Sequence, residues 1–175
     1  MDPVTLTITI ARPPEEVFAY LADMANHQEF TDHFLVDWHL TREDTYGRGA
    51  GARFRVKQRF NRFAFGEATI IEIQPPRRLV MAGNGGRFNR VRTLSTWTFE
   101  RGDAGGTRLQ FVTESEPATP ADRALEVLFR VRAFAKRRHA HALKRVRAIL
   151  EEGGQRGAHA TISGGARKPA TGFRL

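Results

Sequence analysis

The sequence predicts an α+β domain in which a seven-stranded antiparallel sheet wraps around a long C-terminal helix. Three observations carry that prediction. Residues 34–111 fall into strand-length runs punctuated by turn residues, residues 119–152 read as a capped helix with one apolar stripe, and only one or two short helices fit after the first strand.

The first strand is the clearest element. Val4, Leu6, Ile8 and Ile10 alternate with Thr5, Thr7 and Thr9, the period of a strand with one buried face. Pro13 and Pro14 end it, and Glu15 and Glu16 suit the first turn of a helix, where the peptide dipoles favour negative charge. Val17, Phe18, Leu21 and Met24 give that helix a short apolar stripe, and a second short helix is expected over 26–30. Six further strands are expected at 34–40, 52–60, 65–73, 78–82, 91–100 and 107–113, divided by glycine- and proline-rich turns that join antiparallel neighbours. In the strand at 52–60, Phe54, Val56, Gln58 and Phe60 share one face while Arg53, Arg55, Lys57 and Arg59 share the other. One side of the sheet is thus built for water, and the other needs a cover.

The helix at 119–152 supplies it. Thr119 serves as N-cap, Pro120 as first helical residue, Asp122 as the capping acid and Gly153 as the stop. At 1.5 Å per residue such a helix would be about 50 Å long. Ala124, Leu128, Val131, Ala135, Ala142, Val146 and Ile149 project in one stripe, with His139 at its edge. Residues 1–153 are therefore expected to form one domain. Residues 154–175, rich in Gly, Ser, Ala and Arg with no apolar period, are expected to form a flexible tail.

Composition excludes several chemistries. The 175 residues, 41% hydrophobic with 13 Phe, can build one substantial core. The absence of Cys removes disulfides, thiolate metal sites and a thiol nucleophile. No HExxH or comparable ligand spacing occurs, and His139 and His141 lie about 200° apart on a helix, so no metal is expected. Gly47, Gly49 and Gly51 lead into Ala52-Arg53 rather than the Lys-Ser/Thr of a phosphate loop, the GxSxG elbow is missing, and no cofactor is expected. The N-terminus lacks a secretion signal and no window approaches the ~20 apolar residues of a membrane span, which points to a soluble cytoplasmic protein.

Three stretches carry a family resemblance. Ile10-Ala11-Arg12-Pro13-Pro14-Glu15-Glu16-Val17-Phe18-Ala19-Tyr20-Leu21-Ala22-Asp23 resembles the strand-to-helix opening of the START-like (SRPBCC) superfamily, in particular its polyketide cyclase/dehydrase and lipid transport branch. Gln74-Pro75-Pro76-Arg77-Arg78-Leu79-Val80 is similar to that family's hairpin between middle strands, and Thr96-Trp97-Thr98-Phe99-Glu100 to its penultimate strand. The resemblance spans nearly all of residues 4–152 and implies a helix-grip (START-like) fold. It also implies an apolar cavity between sheet and helix that holds a hydrophobic or aromatic molecule: a lipid, a quinone or a polyketide. The alternative it implies is an aromatase/cyclase-type enzyme acting in the same cavity without metal or cofactor. Where many relatives carry a Trp and a Pro in the loop after the first helices, this chain reads His27-Gln28-Glu29-Phe30-Thr31-Asp32-His33-Phe34.

On that basis Trp38, Phe54, Val56, Phe60, Leu79, Met81, Trp97, Phe99, Leu109 and Phe111 are expected to face inward, the outer members as plain core and Trp38, Phe54, Val56, Met81, Trp97 and Phe111 toward a ligand. Ala135 and Ala142 are small where a close-packed helix face would prefer Leu, and leave room. Gln58, Thr93, Ser95 and Thr113 place polar groups on the same side, while His27, His33 and His139 are expected near the rim. His27 and His33 are the candidate catalytic groups, because imidazole titrates near neutral pH. The competing expectation is that these residues fill a close-packed core and are satisfied within it.

A formal charge of +9 raises a different possibility, an acidic partner. Arg130, Arg132, Lys136, Arg137, Arg138, Lys144, Arg145 and Arg147 stand on the helix with no acid among them, and Arg53, Arg55, Lys57 and Arg59 form a second basic face. The outer strand face lacks the interleaved aromatics of a single-strand nucleic-acid platform. The helix has no second apolar stripe for lipid. A hydrophobic small molecule is therefore the expected partner, nucleic acid is not, and peripheral membrane contact through the basic helix is the secondary reading. Nothing in the sequence bears on oligomeric state.

Overall fold

The computed structural model describes residues 1–57, 63–85, 91–128, 130–154, 157 and 160–162. Its elements run β1 (Val4–Ile10), α1 (Pro14–Ala22), a 3-10 turn (Met24–Asn26), α2 (His27–Thr31), β2 (Leu35–Leu40), β3 (Gly51–Lys57), β4 (Phe63–Gln74), β5 (Arg78–Gly85), β6 (Val91–Arg101), β7 (Thr107–Pro117), α3 (Pro120–Leu128), α4 (Val131–Glu152) and β8 (Thr161–Ile162). The seven expected strands pair antiparallel in the order β1-β7-β6-β5-β4-β3-β2. The sheet curls around the C-terminal helix, α4, which packs on β1 and α2. This is the helix-grip arrangement the sequence predicts.

Local chemistry accounts for the opening elements. Pro14 occupies the first turn of α1 beside Glu15 and Glu16, and the helix buries Val17, Phe18, Leu21 and Ala22. Phe18 meets Phe99 of β6 edge-on, with 5.1 Å between ring centres. Ile10, Leu21, Ile70, Leu79, Leu109 and Val146 are fully enclosed, each contributing about 1.5–3 kcal/mol of apolar burial.

Two bulges decide which side chains face inward. Val36 opposes Arg55 but His39 opposes Arg53, so β2 carries one extra residue, and Asp37 there takes a left-handed conformation (φ 52°). A one-residue shift exchanges the faces of a strand. Leu35, opposite Val56, and Trp38, two residues before the inward Leu40, consequently both point to the concave face. The Asp37 carboxylate forms an ion pair with Arg55 on the outside. In β4 the irregularity between Ile70 and Glu72 sends Ile70 and Ile73 inward and leaves Ile71 exposed.

One expectation needs correction. The single helix over 119–152 is two helices, because Arg130 adopts a left-handed conformation (φ 51°) that interrupts the backbone ladder. Beyond that break the expected stripe no longer faces the sheet: Ala124 and Leu128 are exposed, as is Val127. A helical projection records angle about an axis and cannot register that the axis itself turns. After Gly153, the described residues touch the domain: the Gly157 N–H donates to the Glu29 carbonyl (3.0 Å) and Ala160 packs on the core. Thr161 and Ile162 then pair in parallel with His39 and Leu40 of β2. Residues 163–175 of the expected tail lie outside the described residues.

Candidate functional site

The concave face changes character along its length. At one end Leu79, Phe99 and Leu109 join Val17, Phe18, Leu21, Val146 and Ile149 in one buried cluster, which also takes in Trp38, Met81, Trp97, Phe111 and Ala142.

Next comes a layer of rings. Trp97 and Phe111, paired across β6 and β7, lie 4.2 Å apart, and Phe111 meets His139 of α4 at 5.0 Å. His139 in turn meets Phe34 at 5.4 Å. On the other side Trp38 stacks on Phe54 (4.8 Å, 8° between planes), and His27 stacks on Trp38 (5.8 Å, 16°).

Beyond the rings the face turns small and hydroxylic. Ser95 Oγ and Thr113 Oγ1 share a hydrogen bond of 3.0 Å, and the next inward pair along the same two strands is Thr93 with Ser115. Across β4 and β5 the same level carries Ala68 opposite Gly83 and Gly66 opposite Gly85. Apart from buried Thr113 and Gly66 these residues are half-buried, as are Phe54 and Val56 beside them.

The three histidines differ in state. His139 donates Nδ1–H to the Ala135 carbonyl (2.8 Å), which leaves Nε2 as an acceptor. Burial depresses its pKa to about 4, with further lowering by Arg138 and His33, so the ring is neutral. His27 is enclosed between Trp38 and Phe30 and donates Nε2–H to the Leu21 carbonyl (2.7 Å), with its pKa lowered by burial. That is a core position, not the expected rim. His33 lies on the seam between α2 and α4, where Nε2 donates to the Arg138 carbonyl (3.2 Å) and the ring meets His141 edge-on at 4.5 Å. Its pKa is also lowered, chiefly by burial. Neither candidate catalytic imidazole stands free at the mouth of the concave face.

The other expected site residues are accommodated unequally. Trp38, Met81, Trp97, Phe111 and Ala142 are buried, while Phe54, Val56, Ser95 and Ala135 are half-buried. Gln58 lies outside the described residues. Sequence reasoning missed Gly66 and Gly83, which let the Phe54 ring and the Thr93 hydroxyl approach the sheet closely. A glycine in a strand is a signal for close approach, and it was legible here only as turn punctuation.

Two hollows occur among the described residues. One, of about 690 Å³, is lined by the outward Glu67, Asn84, Arg92, Leu94, Glu114 and Glu116 together with Gly83, Thr93 and Ser115 of the concave face. The other, of about 220 Å³, lies between Leu6 and Ile8 of β1 and Ala140, Leu143, Lys144 and Arg147 of α4.

The basic surfaces are partly neutralised. Arg145 turns inward to an ion pair with Asp32 and a hydrogen bond to the Glu29 carbonyl (2.7 Å). Arg138 reaches the Lys57 carbonyl and covers Phe34. Arg53 pairs with Glu67 (3.7 Å) and Arg55 with Asp37. The described part of the second basic face is thus interleaved with acids.

Comparison with known proteins agrees with this fold. A family model described as polyketide cyclase / dehydrase and lipid transport matches residues 1–151. Among solved structures, TTHA0849 of Thermus thermophilus is similar with a TM-score of 0.63 at 16% identity, over 87% of this chain and 99% of that one. Ms6760 of Mycobacterium smegmatis gives 0.61 at 17% identity, over 85% and 90%. DR_A0006 of Deinococcus radiodurans gives 0.60 at 16% identity, over 87% and 99%. Likeness at such identities establishes the fold alone. No curated protein matches the chain in sequence. With its family match running through both the sheet and α4, the chain belongs to the polyketide cyclase/dehydrase and lipid transport family.

Proposed function

We propose that this protein binds a hydrophobic or aromatic small molecule on the concave face, between the sheet and α4. The observation that carries this reading is the change beyond the aromatic layer. Ala68, Thr93 and Ser95 occupy positions where a closed core would place large aliphatic side chains, and all three stay half-buried. Aromatic rings and small side chains at one level make a bed for a flat apolar molecule. Native mass spectrometry of the purified protein, followed by solvent extraction, tests this. A retained lipid, quinone or aromatic compound is the expected result. A protein that carries nothing and takes up no Nile red would refute it.

A second reading, peripheral contact with an anionic membrane, is favoured by one observation. Val127, Leu128 and Phe134 are exposed around the α3–α4 break, next to exposed Arg130, Arg132, Lys136 and Arg137. Apolar side chains rimmed by cations fit an acidic lipid surface. Flotation with phosphatidylglycerol vesicles, lost with pure phosphatidylcholine, is the expected outcome; absence of flotation with both refutes it.

A further inference from the structure

We propose that the ligand of the concave face is a neutral aromatic carbonyl compound, and that the indole N–H of Trp97 donates to its oxygen. This rests on the reading above and adds the chemistry of the ligand.

The two tryptophans of the chain supply the first argument. Trp38 donates Nε1–H to the Met24 carbonyl at 3.0 Å, whereas the buried Trp97 Nε1 has no hydrogen-bond partner among the described residues. Trp97 is only 5% exposed, so water does not reach this donor from outside. Leaving a buried donor unmade forfeits its hydration with nothing in return, and such groups are rare in folded proteins. An isolated buried water would need two to four polar partners. The surroundings of Trp97 offer few: its cross-strand neighbours are Leu79 and Phe111, and the His27 ring stands edge-on to it. A ligand oxygen attached to an apolar body meets the need without further polar groups.

The side chains on the way to Trp97 define the rest of the molecule. One inward step along the strands, roughly 7 Å away, lies the Ser95–Thr113 pair, and beyond it Thr93 with Ser115. Within the Ser95–Thr113 bond one hydroxyl hydrogen remains to be donated. No charged side chain faces inward from 79 to 85 on β5, from 91 to 99 on β6 or from 109 to 117 on β7. Arg138, the nearest cation in sequence to His139, is turned away to the Lys57 carbonyl. A carboxylate or phosphate brought here would stay unpaired at high cost, while a neutral carbonyl matches the donor. Phe111, Trp97 and Phe54 supply faces for an aromatic body.

Three probes test the inference: 2-acetylnaphthalene, its near-isosteric hydrocarbon 2-isopropenylnaphthalene, and 2-naphthoate. Affinities are measured by titration, with the two indole N–H resonances followed in ¹⁵N-labelled protein. The ketone is expected to bind about fivefold or more tighter than the hydrocarbon, the factor one net hydrogen bond supplies. It should shift one indole resonance, which the hydrocarbon leaves in place and which Trp97→Phe removes. The fivefold preference should vanish in Trp97→Phe. If that variant fails to fold, the resonance shift in the parent protein decides. Equal binding of ketone and hydrocarbon with neither indole moved overturns the inference and leaves the apolar-binding reading intact. Tighter binding of the naphthoate overturns the neutrality of the ligand. Binding of none of the three overturns both readings.

Discussion

The ring of Phe54 covers the α-carbon of Gly66 across the β3–β4 pair, so that a Cβ at position 66 would stand 2.7 Å from Phe54 Cε2. Phe54 is also the ring on which Trp38 stacks. Gly66→Ala should therefore push Phe54 off Trp38, at a cost of about 1–3 kcal/mol of overpacking. Urea unfolding and the near-ultraviolet circular dichroism of the tryptophans measure the two effects. An unchanged spectrum with unchanged stability would show that the ring has room to spare.

Ala135 and Ala142 lie seven residues apart on α4 and should respond differently to the same enlargement. Ala142 is 2% exposed within the core, so Ala142→Phe should overpack it and cost about 1–3 kcal/mol or more. Ala135 is half-buried beside the aromatic layer, and Ala135→Phe should leave stability nearly unchanged while abolishing uptake of Nile red. A large stability loss at Ala135 with undiminished probe uptake would place the ligand elsewhere.

The neutral His139 makes stability depend on acid. Its folded pKa of about 4 lies below the ordinary value of 6.5, so the unfolded chain binds the proton more readily. The contribution of the neutral ring is present above pH 6.5 and is lost progressively as pH falls toward 4. Between pH 7.5 and pH 5 this amounts to about 2 kcal/mol. His27, also lowered, acts in the same direction. His139→Gln should reduce the pH dependence by about that amount, read from urea midpoints at the two pH values. An identical pH profile in the variant would mean that the ring titrates alike in the folded and unfolded chains.

The chain after Gly153 offers a test of where the folded unit ends. Truncation after Ile162 should leave the thermal midpoint within about a degree of the parent. Truncation after Gly153 removes the Gly157–Glu29 hydrogen bond, the packing of Ala160 and the pairing of β8 with β2. A loss of about 1–2 kcal/mol corresponds to roughly 2–8 °C for a chain of this size. Equal midpoints for both truncations would restore Gly153 as the boundary.

The alternation of Val4 to Ile10, the proline-opened α1 and the spacing of turns were sufficient to mark the seven strands and the antiparallel pairing of chain neighbours, whereas the pairing of β1 with β7 joins distant segments. Each of those signals is local: a strand with one wet face must alternate, and a short connection must join antiparallel neighbours. The aromatic residues of the concave face were legible for the same reason, since Trp97 and Phe111 follow the alternation of their own strands. Other features depend on contacts distant in sequence. Trp38 faces inward because a bulge at Asp37 re-phases β2 against β3, and Phe54 has a place because Gly66 stands opposite. The break at Arg130 turns Leu128 to solvent although its stripe is continuous on paper. The same dependence separates the two tryptophans. Met24 satisfies Trp38, nothing among the described residues satisfies Trp97, and only the packed arrangement of strands and helices decides which buried donor has an acceptor within reach.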